Sequence, residues 1–454
     1  MELSGKNVLV VGLGRTGRDV CRFLLERGAR VTVSEKRPGS EVAAEAAPWT
    51  ERGVRLEAGG HRPETFLAAD LIVPSPGVPP LPEIAAARAG GIPVWSEIEL
   101  AGRFLKGTVA GITGSCGKST TATLTHKILR EAGRRAFLAG NIGTPLISFV
   151  GRSRPDHVYV TEISSFQLYH LDSFRAEVAA FLNISLNHLD WHPTFDDYLA
   201  SKSRLILGQD RGGTAVLNRD DPLVWSLGPR TEASVLGFSR RRRVKNGCHC
   251  DGGRLVMAGD GPGVLMAARE IPLPGVHNLE NVMAAALIAR ALGVSLPSIR
   301  RSVRSFAGLE HRLERVAAVR GVAFVNDSKA TTVSAARMAL ASFRGKVVLI
   351  LGGKDKGDDF RPLRSDLREK GRLVILIGQA KEKIRAALAG SVPLAEAGTM
   401  RQAVRLAFDA ARRGDVVLLA PACASFDMFR NFEDRGRAFK REVRLLVRGE
   451  GGGR

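Results

Sequence analysis

Residues Thr108–Thr120 read TVAGITGSCGKST: an apolar, β-branched run, a glycine-bearing turn, and the opening of a helical pattern. Strand, turn and helix in that order form the setting in which a turn's backbone N–H groups converge on phosphate oxygens. Lys118 would then reach the β- and γ-phosphates, and Ser119 or Thr120 would meet Mg²⁺. Gly114, Ser115, Cys116, Gly117, Lys118, Ser119 and Thr120 are therefore candidate ATP-binding residues. The strict G-x-x-x-x-G-K-[ST] spacing is not met, because Ile112 stands where the first glycine belongs. An accidental turn is the competing reading. A strand opening directly into such a loop belongs to an α/β protein with parallel sheets.

The same alternation extends in both directions. Toward the N-terminus, Asn7–Val11 and Arg30–Val33 read as strands flanking a helix around Arg18–Arg27. Asp70–Val73 then enters PSPGVPP, whose prolines exclude helix and central strand. Beyond the loop, strands are expected at Val158–Thr161 and Glu177–Asn183. A third set is expected at Val322–Val325, Lys346–Leu351, Leu373–Gly378 and Asp415–Leu419, with a helix over Thr332–Ala341. The basic stretch Ser239–Gly253 interrupts the pattern; its Arg run reads as a solvated hairpin or loop, and the tail RGEGGGR as disordered.

Composition bounds the function. Hydrophobic residues at 44% and charged residues at 25% of 454 exclude wholesale disorder. No apolar run is long enough to span a membrane, the N-terminus lacks a signal-peptide pattern, and five cysteines do not make a disulfide framework. Cys248-His249-Cys250 lacks a second pair at ligand spacing, which argues against zinc. A net charge of +21 favours anionic partners. Among these, nucleic acid would call for aromatic-interleaved basic surfaces, and aromatics are only 6%.

Further motifs sit at strand ends. Gly12-Leu13-Gly14-Arg15-Thr16-Gly17 with Glu35 on the next strand is a dinucleotide fingerprint, and taken alone it suggests an NAD-dependent oxidoreductase. Its physics serves any diphosphate. Glu162 ends VYVTE, where an acid can hold Mg²⁺ or cap a helix, and His188 follows an apolar strand into a polar loop. NDSK (Asn326–Lys329), GGKDKG (Gly352–Gly357) and the run beginning PACASFD (Pro421) close three further strands, which implies a common cleft.

Together these segments resemble the Mur ligase family over essentially the whole chain. The resemblance is carried by TGSCGKST, GNIGTP (Gly140–Pro145), EISSFQL (Glu162–Leu168), NHLD, GVHNLENVMAA (Gly275–Ala285), GLEHRLE (Gly308–Glu314), NDSKAT and PACASFDMFRNFEDRGRAF. SSFQL and the last run are similar to the branch that adds D-glutamate to UDP-N-acetylmuramoyl-L-alanine. Cys116 and Thr332 depart from the usual asparagines.

The resemblance implies three α/β domains: a Rossmann-like uridine-binding domain over 1–98, a P-loop ATPase-like domain over 99–308, and a Rossmann-like amino-acid-binding domain over 309–454. It implies uridine diphosphate contacts from Gly14, Arg15, Thr16, Glu35, Arg37 and Ser75. ATP would also meet Asn278, Asn281, Arg312 and Asp327. D-Glutamate would meet Lys329, Thr331, Lys356, Ser425 and Phe432. Two Mg²⁺ ions would rest on Ser119, Glu162, His188 and a carbamylated Lys202, with Lys118, Asn141, His188 and Lys202 in catalysis. A bacterial, cytoplasmic, monomeric enzyme of peptidoglycan synthesis is implied, with no nucleic-acid partner and no stable membrane insertion.

Overall fold

The computed structural model describes residues 2–189 and 191–451. The chain divides into two compact units. One takes in the chain through Ile271 together with Leu279–Ser305; the other takes in Pro272–Asn278 and the chain from Phe306.

The first unit holds two sheets. A parallel four-stranded sheet has the order Arg55–Ala58, Arg30–Glu35, Asn7–Val11, Leu71–Pro74. A nine-stranded sheet runs Arg135–Gly140, His157–Glu162, Thr108–Thr113, Val178–Phe181, Thr214–Asn218, Ser234–Ser239, Gly247–Asp251, Arg254–Ala258, Gly263–Ala267. The first seven are parallel, and each of the last two pairs antiparallel with the strand before it. The connection leaving Thr108–Thr113 passes to one side of the sheet and that leaving Val178–Phe181 to the other. A crevice therefore opens at their carboxyl ends, the place where open α/β sheets bind ligands.

One stretch departs from expectation. Ser239–Gly253 does not interrupt the sheet throughout: Gly247–Asp251 is an internal strand, with Cys248 wholly buried, while the Arg run lies in an exposed turn. The arginines confine themselves to the turn before it. Arg241 and Arg242 donate their backbone N–H groups to Ser239 Oγ, and Arg240 donates to Asp220 and pairs with Glu280. The charge thus hides a strand whose alternation is short. The terminal helix Phe432–Gly451 likewise continues into the glycine-rich tail; residues 452–454 lie outside the described residues.

One apolar cluster runs through both sheets of this unit, joining Val8, Val10 and Leu24 to Ile98, Leu100, Phe149, Leu168 and Ala179. The helix Glu97–Gly102 carries two buried carboxylates into that seam. Glu99 accepts the backbone N–H groups of Asp172, Ser173 and Phe174 at 2.8–3.1 Å. Burial opposes its ionisation, but these bonds outweigh burial and hold its pKa down. Glu97 accepts from Ile147 N–H at 2.7 Å, while its Oε2 has no partner. Burial pushes Glu97 up to about 7, against the pull of Ile147 and Gln167.

The native state thus keeps a proton on Glu97 that the unfolded chain releases above its ordinary value of 4.5. That stability is complete below about 4.5 and is lost as pH rises through about 7. Glu97→Gln carries the neutral form permanently. It is expected to add about 3 kcal/mol at pH 8 and almost nothing at pH 4. Urea unfolding at the two pH values measures this, and an equal effect at both refutes it.

The second unit is built on a six-stranded sheet ordered Glu314–Val319, Val322–Asn326, Val416–Leu419, Val347–Gly352, Gly371–Ile377, Leu394–Glu396, antiparallel only at its first pair. All six residues of Val347–Gly352 (VVLILG) are buried, as expected for a parallel strand covered on both faces. Among the described residues, no helix is long and apolar enough to cross a membrane.

Candidate active site

In the crevice of the nine-stranded sheet, Gly117 takes a left-handed φ of 85° and ends the turn, so that the helix Lys118–Glu131 begins with its N–H groups facing the loop. A Cβ at Gly117 would lie 2.2 Å from Asn281 Oδ1. Asn281 therefore packs directly against the turn, and it accepts from Thr121 Oγ1 at 3.3 Å. Lys118 Nζ donates to Gly114 O (2.7 Å) and Ser115 O (3.1 Å). Cys116 engages through its backbone: its N–H donates to Asn183 Oδ1 at 2.8 Å, and its carbonyl accepts from Asn183 Nδ2. Main-chain use explains why cysteine serves where asparagine was expected. Ser115 Oγ lies 2.9 Å from Tyr198 OH.

Lys202 is not a solvated lysine. It is carried by the helix Phe195–Leu207, capped by Thr194, and is 1% exposed. Its Nζ donates to Thr113 Oγ1 (3.2 Å) and Gly114 O (3.1 Å) and sits 5.0 Å from the centre of the Tyr198 ring. Burial, reinforced by Lys118, drives its pKa well below the usual lysine range against the opposing charge of Glu162. Glu162 is buried; Oε1 accepts from Asn141 Nδ2 at 2.7 Å and Oε2 has no partner. His188 has a left-handed φ of 56° and packs on Phe166 of the SSFQL segment and on Tyr198, whose ring thus touches both His188 and Lys202.

Among the described residues, no group of three or more His, Cys, Asp or Glu stands ready for a metal. A cation here would need a mixed set, and Glu162 Oε2, a hard oxygen buried without a partner, fits Mg²⁺.

At the four-stranded sheet, Gly17 closes the first turn: a Cβ there would meet Gly12 O at 2.1 Å. Ser75 Oγ donates to Gly12 O at 3.0 Å. Glu35 Oε2 accepts Leu13 N–H at 2.9 Å and pairs with Arg37. Burial alone would raise the Glu35 carboxyl, but Arg37 and the Leu13 N–H overcome it and bring it down to about 2. Arg15 and Gly14 are exposed at the turn, with Thr16 half-buried.

In the second unit, Asp327 accepts Leu313 N–H at 3.2 Å. Burial pushes it up to about 6 against Arg312 and Lys329. Lys329 Nζ lies 5.8 Å from the Phe432 ring centre, and Thr331 N–H donates to Lys329 O. Ser425 is buried, Lys356 is exposed, and Asn278 donates to Pro274 O at 2.6 Å. Thr332 caps the helix Val333–Ala341 by accepting Ala335 N–H, a task threonine and asparagine share.

Thus Lys118, Cys116, Asn141, Glu162, Lys202 and Asn281 converge in one crevice. Sequence reasoning missed Asn183, Thr113 and Tyr198 there. Tyr198 precedes Lys202 by four residues, the spacing of one helix face, and that signal was available.

Residues 6–96 match the family described as "Mur ligase MurD-like, N-terminal domain", 112–289 "Mur ligase middle domain", and 311–423 "Mur ligase, glutamate ligase domain". The chain is 48% identical to the UDP-N-acetylmuramoylalanine--D-glutamate ligase of Acidobacterium capsulatum, covering 97% of this chain and 96% of that one. It is 45% identical to that of Koribacter versatilis, covering 99% and 100%. Among solved structures, the MurF ligase from Thermotoga maritima in complex with ADP is similar with a TM-score of 0.58 at 18% identity, covering 98% and 96%. That likeness speaks to the fold alone. The phosphate loop, the three sheets and relatives of 45–48% identity over nearly the full length agree, and the chain belongs to the Mur ligase family.

Proposed function

We infer that this protein is an ATP-dependent ligase that joins D-glutamate to UDP-N-acetylmuramoyl-L-alanine in peptidoglycan precursor synthesis. The observation that carries the inference is its 45–48% identity with relatives of that name over nearly their whole length. In the reaction, the muramoyl-L-alanine carboxylate attacks the γ-phosphorus of ATP, ADP leaves, and an acyl phosphate forms. The amine of D-glutamate then attacks the acyl carbon, gives up a proton and expels phosphate.

Lys118 neutralises charge on the transferring phosphoryl group. Asn141 and His188 orient the attacking carboxylate. Gly114–Thr120, Asn278, Asn281, Arg312 and Asp327 hold ATP. Bound Mg²⁺ adds charge neutralisation at the phosphates; Ser119 and Glu162 would hold one ion, and His188 with Lys202 a second. Burial lowers the Lys202 pKa and so favours the neutral amine that can add to carbon dioxide, a step that would turn a repelled cation into an oxygen ligand. Gly14, Arg15, Thr16 and Ser75 take the diphosphate, with the Glu35–Arg37 pair at the uridine end. Lys329, Thr331, Lys356, Ser425 and Phe432 take D-glutamate. Residues 1–98, 99–308 and 309–454 are the corresponding uridine, ATP and amino-acid domains of a monomer.

Phosphate release with UDP-N-acetylmuramoyl-L-alanine, ATP and Mg²⁺ against a panel of D- and L-amino acids tests this. Release with D-glutamate alone is expected. Release with another acceptor, or saturable NAD⁺ binding that no uridine nucleotide displaces, overturns the acceptor or the uridine assignment respectively.

A further inference from the structure

Arg435, in the first turn of the helix Phe432–Gly451, is 1% exposed and heads the largest fully buried side chains among the described residues. Nothing assigned so far uses it. Its Nε donates to Ser328 Oγ at 3.0 Å, Nη2 to Ser328 O at 2.9 Å, and Nη1 to Cys423 O at 3.1 Å and Ala424 O at 3.2 Å. Every one of these acceptors is neutral. Among the described residues no carboxylate hydrogen-bonds to the guanidinium; Asp427 acts on it only through space, and burial outweighs that help and brings its pKa down to about 10. A buried cation whose hydrogen-bond acceptors are all neutral is expensive, so a fold normally avoids it unless the group has a use.

The placement indicates the use. Ser328 precedes Lys329, Ala424 precedes Ser425, and Phe432 lies on the same helical turn as Arg435. Ser328 Oγ in turn donates to Phe432 O at 2.8 Å. Ala424 O also accepts Lys354 N–H at 3.0 Å, which ties in the loop that leads to Lys356. One planar fork thus holds the loops that carry Lys329, Ser425 and Phe432, and Ala424 O links them to the loop that carries Lys356. The fifth, Thr331, bonds to Lys329.

We propose that Arg435 is the positioning residue of the amino-acid pocket: its guanidinium fixes the Ser328 and Cys423–Ala424 loops in register, with the Lys354 loop joined through Ala424 O, and leaves behind them a positive charge that Asp427 offsets only in part and the dicarboxylate substrate offsets further. The proposal rests on the function inferred above. It makes Arg435 a determinant of affinity for the anionic acceptor and not of ATP or uridine binding.

Steady-state kinetics of the full chain, with each substrate varied in turn, tests this in Arg435→Met, Arg435→Lys and Ser328→Ala. Arg435→Met is expected to raise KM for D-glutamate by about tenfold or more, with KM for ATP and the uridine substrate within about twofold. Arg435→Lys keeps the charge without the fork and is expected to recover part of the loss. Ser328→Ala removes one of four contacts and keeps the charge, giving a smaller rise in the same constant; it also decides the matter should Arg435→Met not fold. A wild-type KM for D-glutamate in both Arg435→Met and Ser328→Ala, or a rise shared equally by all three substrates, overturns the proposal. A wild-type protein that releases no phosphate with D-glutamate overturns instead the function on which it rests.

Discussion

Lys118→Ala is expected to lower turnover by about three orders of magnitude or more while leaving affinity for the uridine substrate within about twofold. The ammonium of Lys118 now donates to the carbonyls of Gly114 and Ser115, two acceptors of its own loop. A triphosphate entering the loop offers charged oxygens in their place. The lysine then gains anionic acceptors as charge builds on the transferring group. Alanine removes that gain and leaves the loop backbone without a donor. The Gly12–Gly17 turn proposed for uridine stands on a different sheet, so a folded variant should still bind the uridine substrate in calorimetry. Equal loss of binding and turnover would show that the two sites are misassigned.

The second large effect is expected at Lys202. Lys202→Ala should be nearly inactive, with a loss of about a hundredfold or more, and partly rescued by added formate or acetate. The side chain reaches Thr113 and Gly114 inside a pocket walled by Tyr198, so removing it leaves room for a small carboxylate next to Glu162. An ammonium held there by burial alone would be a burden on the fold. Its loss should therefore leave the thermal midpoint unchanged or raised. A fully active Lys202→Ala enzyme in buffer depleted of carbon dioxide would refute the carbamate.

The parts legible in the sequence were those in which local chemistry and topology coincide. TVAGITGSCGKST announces strand, turn and helix within thirteen positions, and the observed strand and helix, Thr108–Thr113 and Lys118–Glu131, fall where that reading puts them. The strand-end rule brought Glu162 to the same edge as the loop, where Asn141, named through the resemblance alone, bonds to it. Three-dimensional packing decides the rest. The burial of Lys202 depends on Thr113, some ninety positions away, and no spacing rule couples them. Gly247–Asp251 was obscured because four arginines dominate the local composition, although the turn that holds them ends before the strand begins. Arg435 looked like one more cation in FEDRGRAF; only its burial among neutral acceptors sets it apart, and that is a property of space.

The crevice around the phosphate loop also has a history in time. Thr121 bonds to Asn281, 160 positions later, and Glu131 accepts from Ser302, 171 positions later. A ribosome adding residues one by one would need roughly ten to thirty seconds to supply that last wall. Until Ser305 has left the exit tunnel, the apolar flank of the helix Lys118–Glu131 has no cover from the helix Leu296–Arg304, which packs on it in the finished unit. During that interval the nascent chain is a natural client for chaperones and proteases. A release of synthesis short of Ser305 should yield a product that is degraded, and not a smaller folded protein that retains the nucleotide pocket.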